Sequence, residues 1–213
     1  MLLIKSTSDA PALNGELERK YLTECPAKDV LLFYINRPSV IVGCNQSIEA
    51  EVNTLFCQQH DIEIYKRVSG GGAVYHDYGN INYAFITPKG ETSVLEIDFA
   101  TPIITALYSL GIKAIVGARK ELLVNNKKIS GTASHITRDR ILFHGTLLHQ
   151  TNLYQLNQTL QGNESVRGKY VASIPSPVVN LNDLIQSNES TEQFLNRLLH
   201  FFEAYYQTTA QEV

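Results

Sequence analysis

An α+β fold built on a mixed β-sheet flanked by helices is predicted by two features of this 213-residue sequence. Strand-sized apolar runs are joined in some places by hairpin signals and in others by helical patterns, which argues against a doubly wound parallel sheet. A hydrophobic content of 44% supplies a sizeable core for one domain, and there is no internal repeat or long polar tract.

The segment NGELERKYLTEC (14–25) places Leu17, Tyr21 and Leu22 on one side with charges between them, an amphipathic helix. VLLFYI (30–35) and SVIVGCNQ (39–46) are β-rich runs separated by the turn signal NRPS, hence neighbouring strands. IEAEVNTLFCQQH (48–60) has a helical pattern, and IEIYKRV (62–68) is a strand feeding three consecutive glycines. INYAFITP (81–88) is a further strand, followed by a helix around 101–110 with Pro102 suited to its first turn. KAIVG, ELLVNNKKISGTA and ILFHGTLLH are the next strand candidates. Asn125-Asn126 marks a hairpin turn, since Asn tolerates left-handed geometry. GKYVASIPSPVVN (168–180) has loop character. TEQFLNRLLHFFEAYY (191–206) is the longest helical pattern, with an apolar stripe of Phe194, Leu198, Phe201, Phe202 and Tyr205.

Composition excludes several function classes. The net charge is −3 with both signs mixed along the chain, so no basic stripe points to nucleic acid. The apolar runs are far shorter than a membrane span, and the N-terminus MLLIKSTSDAP does not read as a signal peptide. Cys25, Cys44 and Cys57 are odd in number and share no CxxC spacing, which fits free thiols in a reducing cytoplasm.

Three stretches carry residue types that do chemistry. In RVSGGGAVYHDYGN (67–80), successive amides in a turn stripped of side chains would form an anion-accepting concavity. Arg67 would add a planar fork for a carboxylate or phosphate, with His76 and Asp77 closing the loop. The alternative is a tight bulge at a strand crossing. In NNKKISGTAS (125–134), alternation turns Lys128, Ser130 and Thr132 to one face and Lys127 to the other. Lys128 is then either a cation that reaches a phosphate unhindered by its small neighbours or an ordinary exposed hairpin lysine. In FHGTLLH (143–149), His144 and Thr146 share a face and Gly145 permits close backbone approach, a core histidine being the alternative. The histidine spacings make no dedicated metal cage.

Together and in this order, the three stretches resemble the lipoate–protein ligase family. Its pattern of a basic pair, SGGGAV, an aromatic, HD and GN reads here as KRVSGGGAVYHDYGN. Its later blocks appear as KISGTA and HGTLL, and VIVGCNQSIEAEVN and LNGELERKYL resemble its opening segments, so the likeness spans residues 10 to 181. The resemblance implies a catalytic domain of the biotin and lipoate ligase type, with residues 1–213 forming that single domain and no C-terminal accessory domain. It also implies a two-step activity. Lipoate and ATP give lipoyl-AMP and pyrophosphate, and the lipoyl group passes to a lysine of a lipoyl domain in 2-oxoacid dehydrogenases or of the glycine-cleavage carrier protein. By match to the family's motifs, ATP and lipoyl-adenylate would be held by Arg67, Ser69, Gly70, Gly71, Gly72, Ala73, Val74, Tyr75, His76, Lys128, Gly131, Ala133, His144, Gly145 and Thr146. Lys128 matches the essential lysine, which holds the lipoate carboxylate and the α-phosphate together. Mg²⁺ would accompany ATP, liganded mostly by phosphate oxygens.

Two departures from the family pattern stand out. ARKE (118–121) replaces G-R-N-D, leaving Glu121 as the acid able to approach Mg²⁺, and the basic pair is Lys66-Arg67 in place of Arg-Arg. A chain without the accessory domain would be a shortened form, would work with a separate accessory chain, or would use preformed lipoyl-AMP. A lipoyl or octanoyl transferase with a cysteine nucleophile, and a non-catalytic binder of lipoate or lipoyl domains, are the competing functions.

Overall fold

The computed structural model describes residues 1–24, 28–90 and 98–213; Cys25, the predicted end of the first helix, lies outside them. The elements run β1 (Leu2–Lys5), α1 (Pro11–Glu24), β2 (Val30–Ile35), β3 (Ser39–Val42), α2 (Ile48–Glu51), α3 (Thr54–Gln59), β4 (Glu63–Lys66), β5 (Val74–His76) and β6 (Asn80–Pro88). They continue with α4 (Ala100–Ser109), β7 (Ile115–Val116), β8 (Leu122–Val124), β9 (Lys127–Ser130), β10 (Thr132–Ile136), β11 (Arg140–Leu148), α5 (Leu153–Thr159), α6 (Leu181–Ile185), α7 (Thr191–Tyr206) and β12 (Gln211–Glu212). The fold is α+β, as predicted.

A six-stranded sheet has the order β10-β11-β6-β2-β1-β12. It is mixed: β1 runs parallel to both β2 and β12, while the other pairs are antiparallel. One face packs Leu3, Leu31, Phe33 and Tyr83 against Ile103 and Leu107 of α4 and Phe194, Leu198 and Phe202 of α7. Each such side chain contributes about 1.5–3 kcal/mol on burial. Helix α7 starts at a full capping box, in which Ser190 and Gln193 satisfy each other's backbone amides. The opposite face carries α1 over Leu32, Ala84 and Leu142. Two three-stranded sheets, β4-β3-β5 and β7-β8-β9, stand beside the large one. Among the described residues, no helix is long and apolar enough to cross a membrane.

Several local expectations change. The helix expected over 48–60 is two short ones, because Val52 is extended and the Asn53 side chain caps the second by accepting from Phe56 N. On α1, the buried stripe is Asn14, Glu18 and Leu22, with Leu17 and Tyr21 only partly buried against the core. Polar side chains enter here because each finds partners: Asn14 meets Ser6 and Asn36, and Glu18 meets Tyr34 and His144. KISGTA does not form one strand face. β9 ends at Ser130, which is buried with its hydroxyl 3.2 Å from that of Tyr83, and Thr132 already belongs to β10 of the large sheet. The hairpin at Asn125-Asn126 forms with φ values of 49° and 61°.

Candidate active site

A cavity of about 320 Å³ lies between the β4-β3-β5 sheet, helix α1, strands β9 to β11 and the segment 171–174. Its deep part is lined by Glu18, Tyr34, Asn36, His76 and His144, all buried, and its outer part by Lys128, Arg119 and Glu121. Ile41, Val68 and Val74 supply apolar wall between them.

The glycine loop is shaped from within by Arg67. Its Nε donates to Ser69 Oγ (2.9 Å), Nη1 to the Ile41 carbonyl (2.9 Å), and Nη2 to the carbonyls of Gly70 (2.6 Å) and Gly72 (2.8 Å). Burial pushes the guanidinium down to about 10, with Glu18 and Tyr34 opposing, so it stays charged near neutrality. Gly71 has φ +86°, a left-handed conformation that side chains disfavour. Gly43 lies so close to the Gly71 carbonyl that a Cβ there would collide with backbone.

Ser69 continues the network. Its hydroxyl lies 2.7 Å from His144 Nε2, and His144 Nδ1 stands 3.0 Å from both carboxyl oxygens of Glu18, which also accepts from the Tyr34 hydroxyl (3.0 Å). Ser69, His144 and Glu18 stand in the order of a hydrolase triad. Ser69 is fully buried, however, and accepts from Arg67, so its hydroxyl holds the loop and does not face substrate. A second chain fixes His76. Asn14 Nδ2 donates to Asn36 Oδ1 (2.8 Å), leaving Asn36 Nδ2 to donate to His76 Nδ1 (3.0 Å). Burial, then Arg67 and His144, lower this imidazole to about 3, so it is neutral in the working range.

Lys128 faces the loop from the other wall. Its Nζ lies over Gly131, 3.8 Å from where a Cβ would stand, and makes no hydrogen bond or ion pair among the described residues. Burial lowers its affinity for a proton, and Arg119 adds to this while Glu121 opposes it. The 168–180 segment is a loop, as expected, and it lies across this region. Lys128 N donates to the Pro177 carbonyl (2.8 Å), and Arg119 Nη2 donates to Ser176 Oγ (2.6 Å). Ser173 Oγ accepts from the Ala73 amide (3.0 Å) and from Gln46 Nε2 (3.0 Å). One amide of the glycine loop, that of Ala73, thus already meets a hydroxyl oxygen.

Residues 10–203 match the family described as the lipoyl protein ligase A/B catalytic domain. The chain belongs to this family. It is 38% identical over 180 residues to lipoate-protein ligase LplJ of Bacillus subtilis, covering 83% of this chain and 54% of that one. The crystal structure of P. falciparum LipL1 in complex with lipoate superposes with a TM-score of 0.82 at 25% identity, covering 99% of this chain and 65% of that one. A lipoate-protein ligase A bound with ATP superposes with a TM-score of 0.77 at 25% identity, covering 100% and 87%. The chain spans little more than half the length of curated relatives it matches.

Of the positions matched to the ligase family's motifs, Arg67, Gly71, Gly72, Ala73, Val74, His76, Lys128, Gly131, Ala133, His144, Gly145 and Thr146 line this cavity, as does Glu121, which departs from the pattern. Ser69 stands behind it, and Gly70 meets Arg67 through its carbonyl. The Tyr75 side chain points away, into the cluster of Val40, Val42 and Cys57, with its hydroxyl on Gln155. Glu18, Tyr34, Asn36 and Ser173 line the cavity without having been anticipated from sequence. The residues present fit an ATP-bound Mg²⁺. Among the described residues, no three acidic, His or Cys side chains gather into a metal cage. Besides the buried Glu18, Glu121 brings a carboxylate to the outer wall, where it also accepts from the Arg119 amide (2.7 Å), enough for a cation held chiefly by phosphates.

Proposed function

We propose that this chain is the catalytic domain of a lipoate–protein ligase, activating lipoate with ATP and passing the lipoyl group to a lysine of a lipoyl domain. The observation that carries the reading is Lys128, a half-buried cation with no hydrogen bond or ion pair among the described residues, set across a cavity from the glycine-loop amides. A desolvated cation is costly alone and favourable once an anion joins it. Relatives named as lipoate-protein ligases, and similar structures holding lipoate and ATP, support the same substrates.

In the first step, a lipoate carboxylate oxygen seated by Lys128 attacks the α-phosphorus of ATP, and pyrophosphate leaves with its bonding electron pair. Charge growing on the α-phosphoryl oxygens meets Lys128 and the loop amides, which are held in place beforehand by Arg67. The Ala73 amide becomes available to a ligand oxygen when Ser173 yields it. Mg²⁺ would supply charge neutralisation on the phosphates, with Glu121 as its protein ligand. In the second step, the neutral amine of the acceptor lysine attacks the lipoyl carbonyl, AMP departs, and the amine loses a proton. The acyl chain runs along Val74, Ile41 and Val68, away from Lys128.

The acceptors proposed are lipoyl domains of 2-oxoacid dehydrogenases and the glycine-cleavage carrier, in a reducing cytoplasm that suits free Cys44 and Cys57. A cysteine transferase is disfavoured: neither thiol lines the cavity, and burial raises the Cys57 thiol, the reverse of an activated nucleophile. The test is lipoate-dependent ATP–pyrophosphate exchange with Lys128→Ala alongside. Exchange that vanishes in the variant is the expected result. Transfer from synthetic lipoyl-AMP without exchange would confine the activity to the second step, and neither reaction would refute the ligase reading.

A further inference from the structure

We propose that Tyr65, laid across Gly15 of α1, is the end wall of the acyl chamber and sets the longest chain the site accepts. The inference rests on Lys128 marking the carboxyl end of the ligand. Three residues form a row across the cavity face of the small sheet: Tyr65 pairs in register with Ile41, and Ile41 with Val74. All three line the cavity. The row spans two strand spacings, about 10 Å, and its ends meet different partners.

Val74 lies at the carboxyl end, its Cγ1 3.9 Å from the position of a Cβ on Gly131, over which the Lys128 ammonium also stands. Tyr65 lies at the far end, on the outer strand β4. A Cβ on Gly15 would come within 2.8 Å of Tyr65 Cε1 and Cζ. The phenol therefore rests directly on the helix backbone. Glycine inside a helix costs about 1 kcal/mol relative to alanine, and the ring occupying the vacated space is the physical reason for it here. Exposed Arg19 and Glu16 and buried Glu18, all on α1, act on the Tyr65 hydroxyl, so the ring stands between the chamber and the exposed side of the helix.

A chain held at Lys128 and extended along Val74 and Ile41 meets the flat ring of Tyr65 as its stop. Methylenes beyond that point cannot be buried, and each buried methylene is worth a few-fold in affinity. With the ring gone, a longer chain passes over Gly15 and gains burial.

The test uses non-hydrolysable acyl-adenosine analogues carrying octanoyl, decanoyl and dodecanoyl chains, titrated calorimetrically into the full chain. Wild type is expected to bind the octanoyl analogue about tenfold more tightly than the dodecanoyl one, and Tyr65→Phe to keep that order. Tyr65→Ala is expected to bind the longer chains at least as tightly as octanoyl. Tyr65→Leu gives the same answer if the alanine variant loses its circular dichroism. Lys128→Ala should weaken all three lengths alike. An unchanged order in folded Tyr65→Ala or Tyr65→Leu overturns the end wall while leaving the ligase reading intact. Failure of wild type to bind any acyl-adenosine overturns both.

Discussion

Arg67 and Lys128 are cations on opposite walls of the same cavity, and they are used in opposite ways. Arg67 spends its guanidinium inside the protein, on Ser69 and on the carbonyls of Ile41, Gly70 and Gly72. Lys128 makes no hydrogen bond or ion pair among the described residues, its ammonium lying half-buried over Gly131. Both residues precede glycines and both match motifs of the family, so sequence alone suggests two phosphate-binding cations. The structure separates a residue whose hydrogen bonds hold the loop in shape from one whose ammonium has no hydrogen bond or ion pair among the described residues. An amide concavity works only if its geometry precedes the ligand, and the reacting charge needs a cation that nothing else has neutralised.

The largest effect expected from this contrast is on rate. Lys128→Ala should lower lipoate-dependent pyrophosphate exchange by about 10²–10³-fold while Tm stays level or rises, since a desolvated cation is removed. A fall in Tm would mean that Lys128 is structural after all. Arg67→Met should do the reverse and act first on stability. The carbonyls it strands would cost about 3 kcal/mol, read from the urea midpoint, and activity would fall because the loop loses its shape.

His76 sharpens the comparison through pH. Its folded value of about 3 lies below the ordinary 6.5, so between these limits the unfolded chain takes up a proton that the folded chain refuses. Stability must therefore fall as pH drops from about 6.5 toward 3, by at most about 1.4 kcal/mol per pH unit. Denaturation of His76→Phe across that range should show a shallower slope. Some slope should persist, because burial also lowers His149.

The smallest effect belongs to Ser173. Ser173→Ala frees the Ala73 amide and should tighten binding of a lipoyl-adenylate analogue by up to about fivefold, near 1 kcal/mol. Weaker binding in calorimetry would instead make the hydroxyl part of the finished site.

What the sequence by itself determined is local. The glycine run, the Asn125-Asn126 turn and the α7 stripe report φ/ψ preference and periodicity, which are properties of a few neighbouring residues. The ordered motifs placed Lys128 and the glycine loop in one family, and most of their residues do line one cavity. Elements made by distant pairing were not legible: β5 and β12 are too short to show a period and exist because β3 and β1 accept them. The duties of single side chains were hidden for the same reason. Glu18 meets His144 across 126 positions, and Ser173 meets Ala73 across 100. A lysine or an arginine carries the same charge wherever it stands, and only the packing of remote segments decides whether that charge is answered within the protein or left for a ligand.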